Sequence, residues 1–452
     1  MVTSQRIHKI IDPDLMSYPS KVQAIDIEQW HTIGDLHGNP LKLLHFMIAI
    51  GAALMQEEDY KAYAELYLSY TPPDKDKFNA MEALLNKITV VKDASVRQIG
   101  DEFADRGRDD GLMTSLIHKF MNKGGIFESI LSNHVQVFLV HIEFAIYVAK
   151  HYRQASNDGS PLNDDPASFN SRFITAFNSP ITALLSETNP REAAQVNIFY
   201  RSVLGLRKSL DARVIKPETL LEQYSGYIKT LKMFSYDYPE ELNGEPVTYS
   251  HAGISRVNIL DLAQMFNKFL PENDRIKRDA NVVPTNKCMP PIIDKLNQVM
   301  ATQADKNALC ELLVDSNGNG TYLSDIIDNR EDPNDDAIFN NHGHHSEAFG
   351  KRITLDTFAG RELPQGGFMR SDHQHTCDIH YTKTYKSPEL AQRAYAKRLG
   401  TQNLLSFSNT VSTSNPLNLL ANQAGKRLHS GANGSNNGND ESNKRRPTSG
   451  TQ

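Results

Sequence analysis

Three strand, loop and helix units in the first third of the chain constrain the fold most strongly. Each unit begins with a short apolar run and ends in an amphipathic stretch. The loops between them contain Gly34-Asp35-Leu36-His37-Gly38, Gly100 to Gly107 with Asp101, Asp105 and Arg106, and Asn133-His134. Alternating strands and helices predict an α/β (α+β) fold with a parallel or mixed sheet. Loops after parallel strands meet at one edge of the sheet, so we expect these side chains to lie close together.

Apolar periodicity, caps and turn residues predict the bounds of the individual elements. The predicted strands are Trp30–Ile33, Ser95–Ile99, Phe127–Leu131, Val247–Ser250, Ala337–Asn340 and Arg352–Phe358. The predicted helices are Pro40–Ile50, Leu112–Asn122, Val135–Val148 and Pro388 to about Leu399.

Composition shifts divide the chain into an N-terminal extension (1–28), a main domain (29–400) and a polar tail (401–452). The main domain carries helix-patterned insertions at about 55–90 and 150–240, which could form a lid or bind a partner protein, or could cover one face of the sheet. The tail is rich in Ser, Asn, Gly and Thr, which predicts disorder. Its basic run Lys444-Arg445-Arg446 is interpreted as part of a solvated segment.

Charge and cysteine content limit the kinds of partner and compartment. With 48 basic and 54 acidic residues the formal charge is −6, so no nucleic-acid partner is expected. Three cysteines do not make a disulfide framework and favour a soluble protein in a reducing compartment. The sequence also lacks an 18-residue apolar run and the pattern of a cleaved leader, so no membrane span is expected.

The polar loop residues suit a pair of divalent cations. Asp35 and His37 lie two positions apart in an extended segment, so both side chains can hold one ion. Asp101 could bridge two ions, since cations about 3.5–4 Å apart need a shared negative charge. The candidate ligands that would complete the shell of the second ion are Asn133, His251 and His344.

Such a pair of ions would acidify a water molecule or hydroxide between them and align it for in-line attack on a phosphate. Arg106 offers a planar fork for two phosphate oxygens, which a lysine would not supply. His134 could protonate the leaving oxygen, with Asp105 orienting the imidazole and raising its pKa. The residues therefore predict hydrolysis of a phosphoester.

The ordered motifs Gly-Asp-x-His-Gly, Gly-Asp with Asp-Arg-Gly, Asn-His, His-x-Gly and Gly-His resemble the phosphoprotein phosphatase (PPP) family of metallophosphoesterases. The resemblance implies a calcineurin-like β-sandwich flanked by helices and two divalent ions, with manganese preferred and iron or zinc as alternatives. It also makes Arg330 the second phosphate-binding arginine. The sequence departs from the family at Glu102-Phe103-Ala104, which is one residue longer, and at Ser132 and Val135, which replace Gly and Glu.

The resemblance implies a phosphoprotein phosphatase that hydrolyses phosphoserine, phosphothreonine or phosphotyrosine in a protein substrate. The helical insertions and polar C-terminus also resemble Wip-type bacterial effector phosphatases, which implies secretion into a host cell. Two alternatives remain open. One is a dinucleoside polyphosphate hydrolase; the other is a pseudophosphatase scaffold, in which Ser132 and Val135 weaken metal binding and the insertions bind a partner.

Some patterns allow both a functional and a structural interpretation. In Asp372–His380, His373, His375 and Cys377 could share one face of a strand, but the spacing fits no common zinc module, so a polar strand or loop is favoured. His342 and His345 flank His344, and the match to the Gly-His motif favours His344. The spacing of Tyr60, Tyr63, Tyr67 and Tyr70 favours core packing over stacking on a substrate.

Overall fold

The computed structural model describes residues 7–11, 13–20, 24–151, 166–187, 189–276, 286–306, 309, 312, 340–343, 352–357, 359–363, 367–369 and 377–412. The chain divides into two compact units, Met1–Tyr395 and Ala396–Gln452. The first unit contains the sheets and the candidate site. The described part of the second unit is helical up to Ser412.

The strands are β1 (His8–Ile10), β2 (Gln29–Ile33), β3 (Ala53–Leu54), β4 (Thr89–Val90), β5 (Ser95–Gln98), β6 (Ile126–Ile130), β7 (Leu231–Lys232), β8 (Ser235–Asp237), β9 (Val247–Ser250), β10 (Asn340–His342), β11 (Arg352–Thr354) and β12 (Ile379–Tyr385). The helices are α1 (Pro40–Ala49), α2 (Glu57–Ser69), α3 (Lys75–Leu85), α4 (Asp110–Asn122), α5 (Asn133–His151), α6 (Pro166–Glu187), α7 (Pro190–Phe199), α8 (Arg201–Asp211), α9 (Pro217–Tyr227), α10 (Arg256–Phe266), α11 (Met289–Asp305) and α12 (Pro388–Ser412).

Two mixed sheets form the centre of the first unit. The larger has the order β1-β12-β2-β5-β6-β7, in which β2, β5, β6 and β7 are parallel and β1 and β12 are antiparallel to their neighbours. The smaller has the order β11-β10-β9-β8, with β8 antiparallel to β9. The predicted α/β fold is confirmed, and the parallel strands bring the loops after β2, β5 and β6 to one edge.

The two sheets contact each other through buried polar side chains. The Tyr249 hydroxyl of β9 lies 3.3 and 3.2 Å from the hydroxyls of Thr382 and Thr384 in β12. Arg97 of β5 donates to Asp237 of β8. These contacts join the two sheets.

Local sequence signals explain why the first unit folds as predicted. The Asn39 side chain accepts hydrogen bonds from the backbone N–H groups of Leu41 (2.9 Å) and Lys42 (3.3 Å), and Pro40 occupies the first turn. Asp109 likewise accepts from Gly111 N at the start of α4 (2.8 Å). Such caps satisfy amide groups that have no partner inside the helix.

The insertions are helical, as the sequence predicts. The first contains α2 and α3, and the second contains α6, α7, α8 and α9. The four tyrosines at helical spacing are buried, which confirms core packing for Tyr60, Tyr63, Tyr67 and Tyr70. Tyr67 and Tyr70 also use their hydroxyl groups, since they donate to the carboxylates of Glu362 and Asp109.

Several predicted bounds differ from the structure. The strand beginning at Arg352 ends at Thr354, and the strand predicted at 337–340 is described only as Asn340–His342. The last helix continues to Ser412 instead of ending near Leu399, so the first residues of the predicted tail are helical; the rest, 413–452, lies outside the described residues. The N-terminal extension contributes β1 to the larger sheet. Among the described residues, no helix is both long and apolar enough to cross a membrane.

Candidate metal centre

The loops that follow the parallel strands bring acidic and histidine side chains together. Asp35 and His37 follow β2, Asp101 follows β5, and all three are buried. Asp35, His37 and Asp101 each offer a ligand atom within 4.8 Å of the others. Asp101 also belongs to a second cluster of the same size with Asp105 and His134. Asp101 therefore lies between two groups of potential ligands.

His251, which follows β9, adds a donor from the smaller sheet. Its Nε2 atom lies 3.0 Å from Asn133 Oδ1 and 3.5 Å from Asp101 Oδ1. Its Nδ1 atom lies 3.1 Å from the carbonyl oxygen of Ile99 and 3.7 Å from Asp35 Oδ1. The imidazole therefore contacts residues from three different loops.

Close backbone approaches hold these loops together. Gly38 N donates to the carbonyl oxygen of Asp101 at 2.7 Å, which joins the first two loops. Asp101 has a φ of +60°, in the left-handed region that costs non-glycine residues energy and is common at functional sites. At Gly100 a Cβ atom would lie 2.2 Å from His251 Nδ1, and at Gly343 a Cβ atom would lie 2.0 Å from Asp35 Oδ1. A side chain at either position would therefore displace His251 or Asp35.

The donor set fits a divalent cation. Among the described residues, Asp35 Oδ1 and Asp101 Oδ1 are buried carboxylate oxygens with no hydrogen-bond partner. Burial, with the neighbouring carboxylates of Asp356 and Asp101, raises the pKa of Asp35 well above its usual range. Burial also lowers the pKa of His37 to about 4, which keeps this imidazole neutral. A divalent cation would offset the carboxylate charge and accept a neutral imidazole ligand.

The geometry of His134 differs from the prediction in one respect. Its Nδ1 atom lies 2.7 Å from the carbonyl oxygen of Ala104, whereas Asp105 Oδ2 lies 3.3 Å from His37 Nδ1. The His134 ring therefore hydrogen-bonds to the backbone of Ala104, and the Asp105 carboxylate, which contacts His37, lies near His134 without bonding to it. Although burial alone would lower it, the carboxylates of Asp101 and Asp105 raise the pKa of His134, as expected for a proton donor.

The loop between Asp101 and Asp105 makes several buried contacts. Phe103 is buried and stacks on Phe138 with ring centroids 4.2 Å apart, and it meets the Tyr227 ring edge-on at 4.8 Å. Ala104 follows with a φ of +50° and donates its N–H to the Asp110 carboxylate at 3.0 Å. The loop is thus anchored in the core, and its Ala104 carbonyl contacts the His134 ring.

Ser132 is a supporting residue that the sequence analysis treated only as a loss. Its Oγ atom accepts hydrogen bonds from the backbone N–H groups of Asp101 and Val135, both at 3.0 Å. The hydroxyl thus caps α5 and fixes the backbone of Asp101. The sequence signal for this role was a Ser directly before a helix pattern, because Ser is a preferred helix N-cap residue.

Asp356 and Arg361 are further site neighbours that the sequence analysis missed. Arg361 Nε lies 2.9 Å from His37 Nε2, and its Nη2 atom is 3.0 Å from an Asp356 carboxylate oxygen. Arg361 is 324 positions from His37 in the sequence, and no motif marks it. Only the folded chain brings these residues together.

The phosphate-binding candidate Arg106 lies beside the cluster and is partly buried. Its Nη1 atom donates to Asp105 Oδ1 at 2.8 Å, and its guanidinium lies 4.7 Å from the centroid of the Phe199 ring. His342 is buried in β10. The remaining candidates, His344 and Arg330, lie outside the described residues, as do His345, His373 and His375.

The fold and this cluster define a mixed α/β protein with a buried site that could hold a metal ion. The chain belongs to the WipA-like phosphatase domain family, whose model matches residues 95–171 and 167–361. It is therefore a phosphatase. The Wip-type resemblance in the sequence is confirmed.

The chain is also similar to a solved structure, the phosphatase domain from the Legionella effector WipB. That match has a TM-score of 0.49 at 20% sequence identity and covers 72% of this chain and 97% of the WipB chain. No curated protein matches the chain at a significant level.

Proposed function

We propose that the protein is a metal-dependent phosphoprotein phosphatase of the PPP type, which hydrolyses phosphomonoesters on protein side chains. The observation that supports this most directly is the pair of buried carboxylate oxygens, Asp35 Oδ1 and Asp101 Oδ1, which have no hydrogen-bond partner among the described residues. They lie in a cluster with neutral imidazole at the ends of parallel strands. Hard oxygen donors with imidazole suit manganese, and also iron or zinc.

The proposal gives each candidate ligand a role. Asp35 and His37 would hold one ion, and Asp101 would serve both ions. The second ion would be held by Asn133, His251 and His344. When bound, the two ions supply an acidified water molecule for attack on phosphorus and offset the charge of the phosphate.

Arg106 and His134 would handle the phosphate and the leaving group. Contacts with Asp105 and Phe199 hold the Arg106 guanidinium, which would bind two phosphate oxygens, with Arg330 as the proposed second arginine. His134, whose pKa the carboxylates of Asp101 and Asp105 raise against the effect of burial, would donate a proton to the departing oxygen. Asp105 would support both residues by fixing Arg106 and by its charge near His134.

The retained support at Ser132 favours an enzyme over the pseudophosphatase scaffold. The serine that replaces the family glycine fixes Asp101 and α5 through its hydroxyl group. The proposed substrates are phosphorylated proteins, and a side-by-side rate comparison on phosphotyrosine and phosphoserine/threonine peptides would assign the residue class. Release of nucleoside diphosphates without action on phosphopeptides would instead indicate the dinucleoside polyphosphate hydrolase.

The direct test is turnover of an aryl phosphate by the purified full chain, with and without manganese. We expect metal-dependent hydrolysis that falls by at least about 100-fold in Asp101→Asn and His134→Asn, because one loses a shared ligand and the other the proton donor. Asp76→Asn, an exposed carboxylate on α3, is the matched control and should retain wild-type rates. Equal background rates in all four proteins would contradict the proposal.

We further propose that the protein is a secreted bacterial effector that acts inside a host cell. Membership of the WipA-like family and the polar C-terminal segment support this. A fusion to a host-activated adenylate cyclase reporter should raise host cyclic AMP only when the bacterial secretion system is intact. Signal that is independent of the secretion system would contradict delivery.

A further inference from the structure

The backbone that carries Arg106 is held by an arginine of the second insertion. Arg201, the first residue of α8, donates from Nη2 to the Arg106 carbonyl and from Nε to the Gly107 carbonyl at 3.0 Å. Its Nη1 atom reaches the carbonyl of Leu363 at 3.3 Å. One guanidinium therefore joins residues 105–108, called the Arg106 loop below, to the segment at 361–363.

Glu362 fixes the orientation of Arg201. Its Oε2 atom lies 2.8 Å from Arg201 Nη2 and 2.9 Å from Arg108 Nε. Its Oε1 atom accepts from the hydroxyl group of Tyr67. The Glu362 carboxylate is buried, so it interacts with both arginines where solvent screens charges little.

The partners of Glu362 come from separate parts of the sequence. Tyr67 lies on α2 in the first insertion, Arg201 lies on α8 in the second, and Arg108 lies two residues after Arg106. Both insertions therefore reach the Arg106 loop through one carboxylate. Helices that only covered a face of the sheet would not need to contact the same carboxylate, Glu362.

The Arg106 loop is packed so closely that its position depends on these contacts. A Cβ atom at Gly107 would lie 1.7 Å from the carbonyl oxygen of Gly38, in the loop of Asp35 and His37. A Cβ atom at Gly205 of α8 would lie 1.9 Å from the carbonyl oxygen of Arg108. A shift of α8 would therefore displace the Arg106 loop, and misplacement by about 1 Å can cost 100-fold in rate.

Ser202, the next residue of α8, adds a second connection. Its Oγ atom accepts from Asp105 N, and its own N–H donates to the Asp105 carbonyl, both at 2.9 Å. The start of α8 is therefore bonded to residues 105, 106 and 107 in succession.

We propose that Glu362 is a positioning residue that, through Arg201, sets the place of the Arg106 guanidinium and so the affinity for the phosphate group. The inference rests on the proposed function in assigning phosphate binding to Arg106. It gives the two insertions a role in the site, because each supplies a partner of Glu362.

The test compares Glu362→Gln and Arg201→Met with the wild-type full chain. Glutamine keeps the shape of Glu362 but loses the charge that holds both arginines. We expect KM for an aryl phosphate, and the Kd for inorganic phosphate measured by calorimetry, to rise about tenfold in both variants. The manganese concentration for half-maximal activity should stay at the wild-type value, since no metal ligand changes.

Two further variants make the outcome decisive. Lys208→Met removes an exposed charge from the same helix and should change neither constant. Tyr67→Phe removes one hydroxyl group and should give a smaller rise in the same two constants. This variant tests the inference if Glu362→Gln and Arg201→Met do not fold.

Variants with a lower melting temperature but wild-type KM and phosphate Kd would show a structural role only and would overturn the inference. If the wild-type chain shows no turnover, only the proposed function is overturned. The Kd for inorganic phosphate can still be compared between the wild-type chain and the variants.

Discussion

At the scale of single residues, the site depends on small groups that fix the loop backbones. Asp101 and His37 adopt positive φ angles, and neighbouring atoms must hold them there. Ser132 contributes through its bond to Asp101 N, and Gly100 and Gly343 contribute by leaving space beside His251 and Asp35. These groups fix the backbone and the space around the cluster, and such support typically tunes metal affinity.

Replacing Ser132 tests this support. Ser132→Ala removes the acceptor for Val135 N and Asp101 N, so we expect a loss of about 1 kcal/mol in the free energy of unfolding, typical of a lost helix cap. It should also raise the manganese concentration needed for half-maximal activity. Chemical denaturation and a manganese titration measure the two effects. Ser171→Ala, at an exposed position on α6, is the control, and identical behaviour of both variants would contradict the role.

At the scale of elements, the parallel strands and their caps were predictable and the long-range pairing was not. β2, β5, β6 and their helices follow from apolar runs and from caps such as Asn39, which depend on neighbouring residues. The pairing of β12 with β1 and β2 depends on residues far apart in sequence, for which no local pattern exists. The same limit applies to the contact of Arg361 with His37.

The partners within the site were also only partly predictable. The motifs contain the residues of the cluster, but they did not indicate that the Ala104 carbonyl would hydrogen-bond to the His134 ring. Periodicity predicted that the insertions are helical. It could not show that α8 begins against the Asp105 backbone, because that contact depends on tertiary packing.

Arg97 makes a prediction about the junction of the two sheets. It is buried between the rings of Trp30 (4.7 Å) and Tyr249 (4.5 Å) and pairs with Glu128 and Asp237. Arg97→Met would leave the buried Asp237 and the partly buried Glu128 without this cation, and we expect a loss of about 3–5 kcal/mol in the free energy of unfolding.

Adding Asp237→Asn to Arg97→Met removes one of those carboxylates and should recover part of the stability. Equilibrium urea unfolding of the single and double variants measures this. Equal or lower stability of the double variant would contradict the argument.

His31 in β2 makes a prediction about pH. The side chain is buried, and burial lowers its pKa from 6.5 to about 3. The unfolded chain therefore binds a proton below pH 6.5 that the folded chain excludes until pH is near 3, so stability falls as pH drops through this window. We expect wild type to lose about 1.4 kcal/mol per pH unit below 6.5 relative to His31→Phe.

Urea unfolding of both proteins at pH 7 and pH 5 measures this difference, because the other titrating groups are common to the two. A stability difference that does not change with pH would contradict the assignment.

At the scale of the whole molecule, the protein combines a mixed α/β core with helical insertions that reach its candidate site. The core supplies Asp35, His37, Asp101, Asn133 and His251 from loops at the ends of its strands. The insertions supply Tyr67, Arg201 and Ser202, which support the Arg106 loop. Family membership makes the chain a phosphatase, and the contacts of the insertions with the Arg106 loop link them to the candidate site.

The central claim is that the clustered side chains hold a pair of divalent cations, and equilibrium dialysis against manganese followed by elemental analysis tests it most directly. The account predicts about two bound ions per wild-type chain and a clear loss in Asp101→Asn, which lacks the shared carboxylate. The account would be contradicted if the wild-type chain retained no manganese, or if Asp101→Asn retained as much manganese as the wild-type chain.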